Sequence, residues 1–217
     1  MSNLPTNASN LIASLIAAAP QITTAADSSG MDFLKLSSAS GWTYGQDNVE
    51  VEDGAKWALN PASMSKGFIA WSDNSKVLGD VLQVVTKGLV TKAELPELNE
   101  PSDGWAEQCA FQLVCLTGED SGTNVMYKAS TQGGNKEFAR VYGEIVQRGK
   151  AEKPDIVPIV VLEKGQYQHG TKKYGMVTFP VFKIVGWQNL EDEVYEEAPV
   201  VEAEVEEAPK RRRRKVV

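Results

Sequence analysis

The chain has 217 residues, 42% of them hydrophobic and 24% charged, with a formal net charge of −7. That composition belongs to a globular protein able to bury a core, and no run reaches the ~18 consecutive apolar residues of a membrane-spanning helix. Two cysteines and a single histidine exclude a disulfide scaffold and leave little material for a zinc site or a His-dependent nucleophile.

The apolar run 11–19 has no Lys or Arg before it, the first being Lys35. It is therefore expected to be a short helix, with Leu11, Leu15 and Ala18 or Ala19 on one face, rather than the core of a signal peptide. Strands punctuated by turns follow. Residues 33–36 and 42–51 read as two early strands, 56–61 as a third ending at Pro61, and 67–71 and 76–86 as two more. Pro96, Pro101 and Gly104 mark an acidic connector, expected to be a long surface loop.

The clearest hairpin runs from 108–116 through the turn residues 117–122 and back along 123–129. Cys109 and Cys115 share its apolar face with Phe111 and Leu113, so both thiols are expected in the core. Gly133-Gly134-Asn135 then introduces a helix over 136–148, with Asn135 as its cap, an apolar stripe of Phe138, Val141, Tyr142, Ile145 and Val146, and Gly149 as its end. Residues 156–162 form a nearly continuous apolar strand and 165–175 a polar loop. Residues 176–187 return as a long strand in which Pro180 signals an edge or a bulge. Seven to nine strands with one internal helix suit a mainly β (α+β) domain, an OB-like small β-barrel with insertions, better than a βαβ sheet.

Charge divides the chain sharply. Residues 1–188 carry −4, residues 191–207 carry −9 with no base, and the run 210–215 carries +6. The acidic stretch mixes Glu, Val, Ala and Pro with one aromatic, Tyr195, and is too poor in apolar surface to offset the entropy of ordering. The expected organisation is an N-terminal extension (1–30), a barrel-like domain (31–188) and a disordered acidic-then-basic tail (189–217).

No catalytic constellation is assembled by spacing. His169 sits among Gly and Lys with no acid nearby to orient it, and Glu52-Asp53 and Glu119-Asp120 sit in turns. Gly133-Gly134-Asn135-Lys136 lacks the phosphate-loop pattern of nucleotide hydrolases. The expectation is no enzyme, no cofactor and no metal. The positive signal is the mixing of aromatic and basic residues in acid-free windows: 164–183 holds four lysines and no acid, and 121–136 two lysines and no acid. Stacking platforms beside lysines are what sequence-tolerant single-strand binding requires. The candidate nucleic-acid contacts are Trp57, Lys66, Tyr127, Lys128, Lys136, Tyr167, His169, Lys172, Lys173 and Tyr174.

The basic-aromatic segment from Tyr167 to Tyr174, the return strand from Pro180 to Trp187 and the acidic tail from Glu191 together resemble a phage-type single-stranded DNA-binding protein. That resemblance implies an OB-fold that coats single strands in replication and recombination, DNA rather than RNA as ligand, and replication or recombination proteins recruited through the tail. The cysteine usage points to a cytoplasmic compartment, the host's if the chain is phage-encoded, the lack of an apolar span to no membrane partner, and self-association is an open expectation. The chain departs from the family at its end, where Arg211 to Arg214 and Lys215 follow the acids. Two other readings compete: a structural or protein-interaction module, such as a virion or assembly component, and a metal-dependent nuclease built on carboxylates.

Overall fold

The computed structural model describes residues 31–99, 102–171 and 175–189. The expected N-terminal helix within 1–30 and the tail from 190 lie outside the described residues. Ten strands and one α-helix follow in chain order: β1 (Asp32–Ser37), β2 (Gly41–Tyr44), β3 (Val49–Glu50), β4 (Lys56–Leu59), β5 (Ser65–Ser72), β6 (Val77–Val84), β7 (Ser102–Cys115), β8 (Asn124–Ala129), α1 (Gln132–Lys150), β9 (Val157–Gln168) and β10 (Met176–Gln188). The protein is mainly β, of the α+β type.

All ten strands belong to one sheet, and it branches at β7. The C-terminal end of β7 pairs with β4, which passes the ladder on to β9 and β10. The longer N-terminal part of β7 pairs with β5, and β5 with β6. Its other edge pairs with β8, followed by β1 in parallel, β2 and β3. The branch exists because the chain from β4 to β5 breaks at Asn60-Pro61. There a 3-10 turn (Pro61–Ser63) is capped by the Asn60 side chain, and Ser63 Oγ accepts the Gln112 N–H at 2.9 Å. Proline has no donor for a ladder, so the strand has to leave its line at this point.

Alternation along β7 sends Cys109, Phe111, Leu113 and Cys115 to the core face, as the apolar pattern implies. Phe111 is the hub. Its ring lies 5.0 Å from Phe182, 5.2 Å from Tyr127 and 6.1 Å from Phe138 of α1. Helix α1 covers this face with Phe138, Val141 and Ile145 fully buried, while Tyr142 and Val146 lie at the rim of the stripe. Burial pushes the Cys109 thiol up from 9.0 to about 12.

Several boundaries differ from the expectation, each for a local reason. Helix α1 begins at Gln132 and is capped by Thr131, whose side chain accepts the Gly134 N–H at 3.1 Å. Asn135 lies inside the first turn and donates to the Glu107 carbonyl instead. The two glycines are needed for close approach: a Cβ on Gly134 would stand 2.5 Å from Ala129 Cβ, and one on Gly133 2.8 Å from Phe179 Cβ. β7 begins at Ser102, so Gly104 belongs to a strand rather than a loop, in a left-handed conformation (φ +85°) that favours glycine. The polar segment expected as a loop over 165–175 is strand up to Gln168 and again from Met176.

The paired ladder does not close into a barrel, because β3 and β10 end it unpaired with each other. It curls instead, so that Trp42 Nε1 of β2 donates to the Glu163 carbonyl of β9 at 2.9 Å and the Trp42 ring lies 5.4 Å from Phe182. The free edge of β10 is closed by side chains from α1. The Phe182 N–H donates to Glu137 Oε1 at 2.8 Å, and Arg140 Nη2 donates to the Phe182 carbonyl at 2.7 Å. Glu137 and Arg140 bind each other through two hydrogen bonds. Phe182 thus points both backbone groups away from β9, and Pro180, two residues earlier, shares that orientation. Its missing N–H falls on the outer edge and costs no ladder bond. The register shift lies further on, between Ile184 and Gly186.

Glu137 is only 9% exposed. Glu137→Ala is expected to lower stability by about 2–3 kcal/mol, by leaving the Phe182 N–H and the Arg140 guanidinium without their acceptor; a urea unfolding midpoint checks it. The Cys109 shift gives a second expectation. An unfolded thiol ionises near 9 while the folded one stays protonated to about 12. Stability should therefore fall across that window as pH rises, by up to ~1.4 kcal/mol per unit, and Cys109→Ala should flatten that part of a melting-versus-pH curve.

Candidate nucleic-acid interface

The residues singled out by sequence separate into three groups. Trp57 and Tyr127 belong to the core, at 0% and 4% exposure, and are not available to stack on a base. Their strand positions, opposite Cys115 and Phe111, put them on the face that α1 covers. Desolvation pushes the Tyr127 hydroxyl above its ordinary pKa, as expected of a core phenol.

Lys66 and Lys128 reach the surface but are already paired. Lys66 Nζ lies 3.3 Å from Glu107 Oε2, and Lys128 bonds Asp80. The second pair is part of a polar clasp. The Gln108 amide, 1% exposed, donates to Asp80 Oδ1 at 2.6 Å and to the Phe68 carbonyl at 2.9 Å. Asp80 therefore ties β6 across β5 to β7 and β8. Surface pairs of this kind hold by less than ~1 kcal/mol and a phosphate could compete for the lysine, but each site presents no net charge.

The third group lies on the hairpin of β9 and β10. β4 pairs with β9 only over Ile159–Val161, so beyond that point the two strands pair with each other alone and form a two-stranded arm. Its two faces differ. Tyr167 and Gly165 of β9 stand opposite Val177 and Phe179 of β10 on one face. Lys164, Gln166 and Gln168 stand opposite Pro180, Thr178 and Met176 on the other. The first face is a platform: Tyr167 is 46% exposed, and its ring lies 6.0 Å from that of Phe179 at an angle of 47°. Gly165 makes room for it, since a Cβ there would lie 2.1 Å from Phe179 Cζ. An aromatic ring laid across a strand glycine covers backbone that the glycine leaves bare.

His169 closes the strand pairing with its backbone N–H donated to the Gly175 carbonyl at 2.9 Å, and its Nδ1 accepts the Thr171 N–H at 3.0 Å. Lys172, Lys173 and Tyr174 lie outside the described residues. Lys136 is exposed one turn beyond Gly133, which packs on Phe179, and one turn before Arg140, which grips Phe182. The helix periodicity thus sets it at the margin of α1 that borders the platform. At the root of the arm Lys183 pairs with Glu163 at 2.9 Å.

Sequence reasoning missed Phe179, which it left within an ordinary return strand. The signal was present. A hairpin whose strands meet about residue 172 has paired numbers with a constant sum, and that rule sets the glycine of β9, Gly165, opposite Phe179.

No protein-family model, curated protein or solved structure matches this chain. Among the described residues no helix is long and apolar enough to cross a membrane, and no group of three or more His, Cys, Asp or Glu side chains is placed to hold a metal ion.

Gly165→Val is expected to push the Phe179 ring off the strand while leaving the pairing of β9 and β10 in place. The check is the aromatic NMR spectrum: the Phe179 ring resonances should shift and the contacts to Tyr167 vanish, while backbone contacts between the strands persist.

Proposed function

We propose that this protein binds single-stranded nucleic acid, DNA in the first instance, as a non-catalytic accessory of replication or recombination. The observation that carries the reading is the arm of β9 and β10, which presents the Tyr167–Phe179 platform within a segment, residues 164–183, that holds four lysines and no acid.

Unpaired bases expose their flat faces, and an aromatic platform takes them at ~1–3 kcal/mol per base whatever their identity. A duplex hides those faces. The positive field of residues 164–183, which hold no carboxylate, draws the phosphates, and Lys136 stands beside the platform to meet one. His169, Lys172, Lys173 and Tyr174 extend the same acid-free segment toward the tip and belong to the proposed contact. Lys66 and Lys128 can join it only by leaving Glu107 and Asp80. The acidic stretch from Glu191 repels a polyanion and so modulates binding or recruits partner proteins, and the proposed compartment is the host cytoplasm.

The assembly-module reading draws on a different place. Trp71 and Val77, paired across β5 and β6, are 42% and 43% exposed and form an apolar corner far along the sheet from the arm.

The test is fluorescence anisotropy with a labelled single strand of ~30 nucleotides and the matching duplex, at two salt concentrations. The single strand should bind more tightly, and log affinity should fall linearly with log salt. Tyr167→Ala and Phe179→Ala should each weaken binding about tenfold, near the middle of the range for one stacked base. Binding that ignores the double substitution would remove the platform from the interface. No binding to either ligand, combined with a discrete oligomer in light scattering, would transfer the reading to assembly.

A further inference from the structure

The Tyr167–Phe179 platform stands on one face of the arm, and that face runs on into the sheet. The alternation that buries Phe182, Val160, Trp57, Leu113 and Tyr127 turns their strand neighbours to the opposite side, away from the core. The register traces an oblique path over this outer face. Along β9 from Gly165, Val161 stands beside Lys56 of β4. Further on, Ala58 stands beside Val114, and Val114 beside Asn124 of β8. The path ends at Met126 and, beside it, Phe33 of β1.

Phe33 is 40% exposed, so a second aromatic ring is available on the face that carries the first. Lys56 is exposed between the two and, among the described residues, has no ion-pair partner. Lys35, the next outward residue of β1, donates to the Gly45 carbonyl and keeps its charge. The path needs no other cation: Lys183 and Lys128 flank it, but Glu163 and Asp80 hold them. Glu163 is thereby neutralised, and it is the only carboxylate on the strands along the path. Asp120, in the turn beyond Lys56, accepts the Tyr44 hydroxyl on the core side at 2.8 Å. Val161 and Val114, both half-buried, give the middle of the path an apolar floor.

We propose, on the reading that the arm binds single-stranded nucleic acid, that the strand continues from the platform over this outer face. Phe33 stacks a second base, and Lys56 meets a phosphate between the two rings. The distance suits such a ligand. On a flat sheet the strand spacings and residue steps from Gly165 to Phe33 amount to about 33 Å, and the curl shortens this. A stacked strand rises ~3.4 Å per nucleotide, so about ten nucleotides cover it. That lies within the ~4–16 nucleotides that single-strand-binding β domains occupy. A strand already held at the platform also meets Phe33 at an effective concentration in the ~mM range, so one further stacked base is enough to add affinity.

The test is anisotropy titration of the full chain with a labelled strand of ~12 thymidines. Phe33→Leu keeps the apolar bulk and removes the ring, and it should weaken binding about tenfold. Phe33→Trp keeps a ring and should bind as the unaltered chain does. Lys56→Gln should lessen the slope of log affinity against log salt by ~0.7, the share of one phosphate contact on a single strand. If Phe33→Leu or Lys56→Gln behaved like the unaltered chain while Tyr167→Ala still weakened binding, this path would be overturned and the platform would stand. Equal losses in Phe33→Leu and Phe33→Trp would also overturn it, by making Phe33 a packing residue. No binding by the unaltered chain would remove the platform reading and the path with it.

Discussion

A branched sheet that curls round its core without closing leaves raw edges at β3, β6 and β10. At β10 the cover is a helix, and it acts through two side chains. Glu137 supplies the acceptor and Arg140 the donor that a neighbouring strand would have supplied to Phe182. The two also neutralise each other, so the edge gains its hydrogen bonds without a lone buried charge. Phe182 is the residue for which this matters most. Its ring is fully buried and touches Trp42, Phe111 and Tyr127, which come from β2, β7 and β8. Fixing its backbone from outside fixes the meeting point of three parts of the sheet.

The position of the arm follows from the same contact. β9 and β10 leave the body just beyond Phe182, and Gly133 of α1 touches the arm at Phe179. The helix therefore grips β10 at the root and at the platform, with Lys136 between the two points. A stacking surface on an unsupported hairpin would have to be ordered by its ligand, at the expense of affinity. This one is braced along one edge and held in shape by the ring over Gly165. The pairing of Lys66 with Glu107 and of Lys128 with Asp80 acts in the same direction. It removes net charge from the far lobe and leaves the arm as the region where an anion meets least opposition.

Much of this was readable from residue order because strand patterns are local. The apolar alternation of Phe111, Leu113 and the two cysteines, the turn at 117–122 and the stripe Phe138, Val141 and Ile145 each announce their burial within one window of sequence. The site was legible only in outline. Trp57 and Tyr127 looked available because each sits near a lysine, yet their burial is decided by cross-strand partners more than forty positions away, Cys115 for one and Leu34 for the other. The helix start was misplaced because Gly-Gly signals a loop locally, whereas here it permits close packing on Ala129 and Phe179. The clasp was illegible altogether. A Glu and an Arg three positions apart look like an ordinary solvated helix pair, and only the fold brings the backbone of Phe182 between them.

Two demands on β10 explain its irregular sequence. Its outer edge must not invite other chains, and proteins blunt such edges with proline, charge and bulges. Pro180 sits where an outward N–H would otherwise stand, Lys183 is exposed beside the edge, and the register shift follows at Ile184. Its inner face must still bury Phe182, while the opposite face carries Phe179. A strand that is protected on one side and apolar on the other can carry an exposed aromatic platform without offering a long pairing edge beside it. That is the physical reason a platform of this kind belongs on this hairpin rather than on the open corner at Trp71 and Val77, where the strand pair ends with no helix to brace it.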